Sequence, residues 1–196
     1  VEELKISPPV ADDLLSQQLL YMDELGYLVF PRPTGGFSRR SVGRNRLGKP
    51  DFRNDVMRDP EPYVLSGDPQ DIVLIDDELE AIALKTLFPS RTVIAVNGCS
   101  FKRVHKYLKD ANSIIVAFNL QAGNQIDEDL KNSLGEFGER KSITKFILPS
   151  DEISGCNSWI KSLQHPNGER RINKSLVEKM DNDLNQAAAR QDGPKH

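Results

Sequence analysis

The stretch from Asp71 to Gly123 constrains the fold more than any other part of the chain. It reads DIVLIDD, ELEAIALKTLF, RTVIAVNG, SFKRVHKYLKDA and NSIIVAFNLQAG in succession. Three short runs rich in Val and Ile alternate with two amphipathic segments of helical length. Strands that are nearly continuous apolar runs need cover on both faces, and intervening helices supply it, so the pattern predicts a parallel sheet. Chemistry in such sheets gathers where strands turn into helices. Those turns here carry Asp76-Asp77-Glu78, Asn97-Gly98-Cys99 and Asn119-Leu120-Gln121.

The flanks are different. Residues 8–25 place Leu14, Leu15, Leu19, Leu20 and Met22 on one side of an expected helix, with Gly26 placed to stop it. YLVFPRP (27–33) and FSRRSVGR then read as a hairpin around Thr34-Gly35-Gly36. Its alternation sends Arg39 and Arg40 to opposite faces, which is odd for a ribbon that only packs. Residues 43–62 read as a loop with a brief strand near Phe52, followed by a short strand at 62–67 and a turn at Gly67-Asp68-Pro69. Beyond Gly123 come a helix through Ile126, Leu130 and Leu134, and a strand at 143–149. Next is a helix at 154–164 burying Trp159, Ile160 and Leu163, then a last helix at 171–190 spaced by Ile172, Leu176, Met180 and Leu184. The expected organisation is an N-terminal basic α+β unit (1–67), an α/β unit (68–165), and a C-terminal helix with a disordered tail (166–196).

With 196 residues, 38% of them apolar and 28% charged, the composition is that of a soluble globular protein. No apolar run approaches the ~20 residues that span a bilayer. The chain starts without Met or a signal-peptide pattern, as a processed chain or a piece of a longer one would. Cys99 and Cys156 lack metal-ligand spacing and read as reduced thiols of a cytoplasmic protein. The net charge of −3 is unevenly spread. From Arg32 to Arg58 eight cations face only Asp51 and Asp55, so this window is +6 and the remainder −9. Such asymmetry fits either a nucleic-acid footprint or a solvated basic loop.

VLIDDELEAIAL, VIAVNG and AFNLQAG resemble, in that order, the motifs of TOPRIM domains. LLYMDELGYLVFPRPTGGFSRRSVG is similar to the small β-rich unit ahead of such domains in primase-like and relaxase-associated proteins of phages and mobile elements. The resemblance spans roughly residues 10–165. It implies a parallel, Rossmann-like sheet flanked by helices and preceded by a small hairpin-containing α+β unit. It also implies Mg²⁺ held by a strand-end acid and a later Asp-x-Asp pair. Here Asp76 and Asp77 replace the family's Glu-Gly, Glu80 stands at the further acid, and Asn119 and Gln121, or Phe118 and Leu120, replace the pair. Amides bring no charge to a hard cation, so Asp76 and Glu80 would hold Mg²⁺ weakly at most. The implied reading is a degenerate TOPRIM domain of a replication protein that binds DNA or scaffolds other replication domains.

Each residue also has a structural reading. Asp76, Asp77 and Glu78 suit a helix N-terminus, and Asn119 suits a cap. Asn97-Gly98 suits a turn, Cys99 and Phe101 suit packing, and His105 has no acidic partner at helical spacing. The expected nucleic-acid contacts are Arg39, Arg40, Arg44, Arg46 and Arg53, with Lys102, Arg103 and Lys106 on the second helix and Lys109 beside them. Tyr27, Phe30 and Phe37 interleave with the basic ribbon as base-stacking candidates. Two other functions remain open on these residues. One is an active Mg²⁺-dependent primase or nuclease using Asp76, Asp77 and Glu80; the other is a protein-interaction domain.

Overall fold

The computed structural model describes residues 7–44, 50–55, 61–97, 99–118, 142–145, 159–164, 167–168, 170–176 and 178–179. Helix α1 (Pro8–Ser16) leads into a four-stranded antiparallel sheet of β1 (Tyr21–Met22), β2 (Tyr27–Pro31), β3 (Phe37–Arg44) and β4 (Pro50–Asp55), in that spatial order. Next come β5 (Tyr63–Leu65), β6 (Asp68–Ile75), α2 (Glu78–Leu87), β7 (Arg91–Ala95), α3 (Phe101–Leu108), β8 (Ser113–Val116), β9 (Ser142–Lys145) and α4 (Trp159–Gln164). These strands form a second sheet ordered β5-β7-β6-β8-β9, parallel throughout except for β5 at its edge.

The three apolar runs lie side by side, as the alternation requires. Val73 and Ile75 of β6 join α2, α4 and part of α1 in one core with Leu79, Ile82, Leu84 and Trp159. Ile72 and Leu74 face the other way, against Val104 and Leu108 of α3. The crossover through α2 moves from β6 to β7 on one side, and that through α3 returns past β6 to β8 on the other. The chain direction therefore switches at β6, and its carboxyl end is the position at which sheets of this kind form their crevice.

Several local expectations are corrected. The first helix stops at Ser16, far short of Gly26, because Gln18 enters the left-handed region at φ 55°. The amides of Gln18 and Leu19 then close back on the carbonyls of Leu15 and Leu14 (3.1 and 2.9 Å), a Schellman closure. Leu15 is left exposed, and Met22 belongs to β1 rather than to a helix. Gly26 instead turns β1 into β2, at φ +80°. Phe30 is buried, edge-on to Tyr63 at 5.7 Å, and so is not a surface stacking residue. Asp68 and Pro69 already belong to β6. Gly67 before them is needed for close approach, since a Cβ there would lie 2.4 Å from the Arg91 carbonyl group. Strand β5, on the N-terminal side of the expected unit boundary, hydrogen-bonds into the second sheet. The brief strand near Phe52 is present as β4.

Trp159 is fully buried, and its indole N–H donates to the Ala117 carbonyl at 3.0 Å. Residues 170–176 are helical and bury Ile172 and Leu176 in the first core. Among the described residues no helix is long and apolar enough to cross a membrane. The expected helix at 126–134, Cys156, and Met180 and Leu184 lie outside the described residues.

Candidate functional site

The crevice at the end of β6 concentrates four acids within five residues: Asp76, Asp77, Glu78 and Glu80. Like charges so close disfavour one another's ionisation unless something opposes them. Asp77 is the N-cap of α2, accepting from the amides of Leu79 (2.9 Å) and Glu80 (3.2 Å). Its outer edge is held by Arg40 of β3 in a two-contact fork, Nη1 to Oδ1 at 3.3 Å and Nη2 to Oδ2 at 2.8 Å. Glu78 is 2% exposed and satisfied from three directions. Arg32 ion-pairs with it, the Ser38 hydroxyl donates to it at 2.7 Å, and the Asn97 amide donates to both its oxygens at 3.2 and 3.1 Å. Arg32 is itself buried and also donates to the carbonyls of Glu61 and Asn97, both at 3.3 Å. Glu80 is buried too, and accepts from the amide of Ile160 in the first turn of α4 (3.2 Å).

The first sheet thus reaches into the second through three side chains of one hairpin. Register explains which ones. Phe30 opposes Ser38 and Leu28 opposes Arg40 across β2 and β3, and directly opposed residues share a face. Phe30 is in the core, so Ser38 and Arg40 are carried on the same inward face toward α2. Arg32 follows Phe30 by two. Its side chain was counted in the sequence only as one of eight basic charges, and Glu78 only as a complement to the helix dipole. The missing signal was tertiary: an inward-facing Ser two residues from an Arg, opposite an acidic helix start.

The outward face of the same ribbon has other chemistry. Arg39 lies over the rings of Tyr27 (5.2 Å) and Phe37 (5.8 Å) and ion-pairs with Asp23 at 3.3 Å. Tyr21, opposite Val29 on β1, is on this face and 42% exposed. The Asp23 carboxyl is held below the usual range, chiefly by the Tyr27 amide, then by the Leu25 amide and Arg39.

Beside the crevice, Glu61 is buried and pairs with Arg103 (3.3 Å) and Lys106 (2.7 Å) on α3, both about half exposed. Glu61 raises the Lys106 ammonium, which also lies over the Tyr107 ring at 5.0 Å. Lys102 is exposed, Lys109 pairs with Asp110, and His105 and Cys99 are half-buried. Arg46, Asn119 and Gln121 lie outside the described residues, as do the side chains of Arg44, Arg53 and Phe101.

The resemblance implies Mg²⁺, and the described donors do not fit it. A Mg²⁺ ion needs several hard oxygens in near-octahedral array. Asp77 spends its oxygens on Arg40 and two helix amides, and Glu80 faces the start of α4. Asp76 is half-buried at the strand end. Among the described residues no group of three or more His, Cys, Asp or Glu is disposed to hold a metal ion.

No protein-family model matches the chain, and no curated protein matches it. Solved structures do. The DnaG primase catalytic domain bound to ssDNA superposes with TM-score 0.54 at 13% identity, over 90% of this chain and 61% of that one. The Escherichia coli primase catalytic core gives 0.54 at 13% identity, over 94% and 66%. The Aquifex aeolicus primase, with zinc-binding and RNA polymerase domains, gives 0.52 at 14%, over 94% and 58%. The chain spans about 60% of the length of the first of these. At such identities the likeness is one of fold. A sheet of mostly parallel strands between helices, with an antiparallel sheet ahead of it, is the TOPRIM-like arrangement of primase cores.

Proposed function

We propose that this chain is a nucleic-acid-binding module of a primase-type replication protein from a phage or mobile element, acting through binding or scaffolding rather than through a metal site of its own. The observation that carries this reading is the way charge is divided. The carboxylates of Asp77, Glu78 and Glu80 at the β6 end are satisfied from within, by Arg32, Arg40, Ser38, Asn97 and the Ile160 amide. Cations on α3 face solvent, with Arg103 and Lys106 anchored on buried Glu61 and Lys102 beside them. Solvent-facing Arg and Lys neutralise phosphates, with Arg suited to bidentate contact.

Two surfaces would share the work. The basic side of α3 tracks the backbone. The outer face of the first sheet, with exposed Tyr21 and half-buried Tyr27, Phe37 and Arg39, would offer ring edges and a flat guanidinium on which unpaired bases stack. Arg40 lies on the opposite face, at the crevice, and contributes to neither. Support comes also from the fold shared with a primase domain bound to ssDNA.

The test is fluorescence anisotropy with single-stranded and duplex oligonucleotides across a salt series, in EDTA and in Mg²⁺. Salt-dependent binding that persists in EDTA is the expected result. Primer synthesis or nicking that needs Mg²⁺ and vanishes in Asp76→Ala would replace this reading with an active enzyme. Capture of a protein partner with no oligonucleotide binding would replace it with an interaction domain.

A further inference from the structure

The four acids after β6 need opposing charge, and a divalent ion is one way to supply it. The hairpin supplies another. Arg40 crosses from β3 to Asp77 and contacts both carboxylate oxygens, at 3.3 and 2.8 Å. This fork is the geometry in which guanidinium binds carboxylate best. The two side chains are only 27% and 21% exposed, so salt screens the pair weakly. Arg40 is held in place by its strand, since its register partner Leu28 packs against the core. The same carboxylate caps α2, which fixes the orientation of the oxygens that Arg40 meets.

From this we infer that Arg40 is the resident cation of this acidic cluster: its guanidinium supplies at Asp77 the positive charge that a divalent ion would otherwise bring to these acids, so that Arg40 and a metal ion compete for the Asp77 oxygens. The inference rests on the reading that the chain has no working metal site, and goes beyond it by naming what replaced the ion. It also reassigns Arg40, one of the sequence's phosphate-binding candidates, to an internal role. Arg39, its neighbour, keeps an outward one.

If Arg40 and a metal compete, removing Arg40 should open the site. Mn²⁺ is the probe, titrated by calorimetry and by the loss of its free EPR signal, against wild type, Arg40→Ala and Arg40→Ala/Asp77→Asn. Wild type should take up no Mn²⁺ tighter than about millimolar. Deleting one nearby positive charge should raise Mn²⁺ affinity by roughly tenfold or more, and the added Asp77→Asn should abolish the gain. Arg40→Gln, which keeps a donor near Asp77 without the charge, should show the same gain and covers the case in which Arg40→Ala does not fold. A tight wild-type Mn²⁺ site lost in Asp76→Asn would overturn the underlying reading together with this one. Folded Arg40→Ala and Arg40→Gln proteins that bind Mn²⁺ no better than wild type would overturn the role given to Arg40 and leave the underlying reading standing.

Discussion

Arg39 and Arg40 are adjacent on one strand, yet they sit in two regions with opposite character. Arg40 turns inward to the crevice, where it meets Asp77 beside a network around the buried Glu78. Arg39 turns outward onto Tyr27 and Phe37, with Asp23 at its edge. The alternation of a β-strand is enough to produce the contrast. A count of basic residues cannot register it, because the count gives both arginines the same value. What separates them is the face each shares with its cross-strand neighbours: Phe30 and Leu28 lead into the core, while the other face carries buried Val29, half-buried Tyr27 and exposed Tyr21.

If the inward region is structural and the outward one is for binding, substitutions should sort by face. Arg32→Ala should have the largest effect. It strands the buried Glu78 carboxylate, at a cost of about 3–5 kcal/mol in urea unfolding. A loss below about 1 kcal/mol would mean Glu78 is not held as a charge there. Arg40→Ala should follow at about 1–3 kcal/mol of stability, as expected for hydrogen bonds to a charged group, whereas Arg39→Ala, which loses a single 3.3 Å contact to Asp23 rather than a fork, should cost about 1 kcal/mol or less. Equal losses from the two neighbours would erase the distinction between the faces.

On the binding side the order reverses. Tyr27→Ala should weaken single-stranded binding by about 1–3 kcal/mol with little change in salt slope, because stacking releases no counterions. Lys102→Ala should act on all sequences alike and reduce the salt slope by roughly one contact. The smallest expected effect is a pH dependence. Asp23 has its folded pKa lowered by the Tyr27 and Leu25 amides and Arg39. The stability it contributes is therefore present above its unfolded value near 3.9 and is lost as pH falls through the lower folded value. Asp23→Asn should flatten that acid limb in a pH series of thermal melts.

The parts of this architecture visible in the sequence are those set by local pattern. The runs at 72–75, 93–96 and 114–117 are buried on both faces, so they contain almost nothing but apolar residues and announce a covered parallel sheet. Trp159 and Ile160 were legible as core for the same reason. Less legible were features decided by a distant partner. The first helix ends at a left-handed Gln18, where a glycine eight residues later looked the better stop. Tyr63 is tied by its hydroxyl to the Leu19 carbonyl at 2.9 Å and pairs into the second sheet through β5, which no local pattern specifies. Glu80 stands at the spacing of a metal ligand but receives the first turn of α4, eighty residues on. Spacing placed the candidate acids at the crevice; the register between the two sheets decided which of them Arg32 and Arg40 occupy.

The central claim is that the crevice is balanced by its own arginines, so that nucleic acid is bound without a metal ion. The most direct measurement is the affinity of the wild-type chain for one single-stranded oligonucleotide, at fixed ionic strength, in EDTA and again in Mg²⁺ or Mn²⁺. Affinity in EDTA at least as high as with either divalent ion is the expected result. Binding that appears only with the divalent ion, and disappears when EDTA is added, would contradict it.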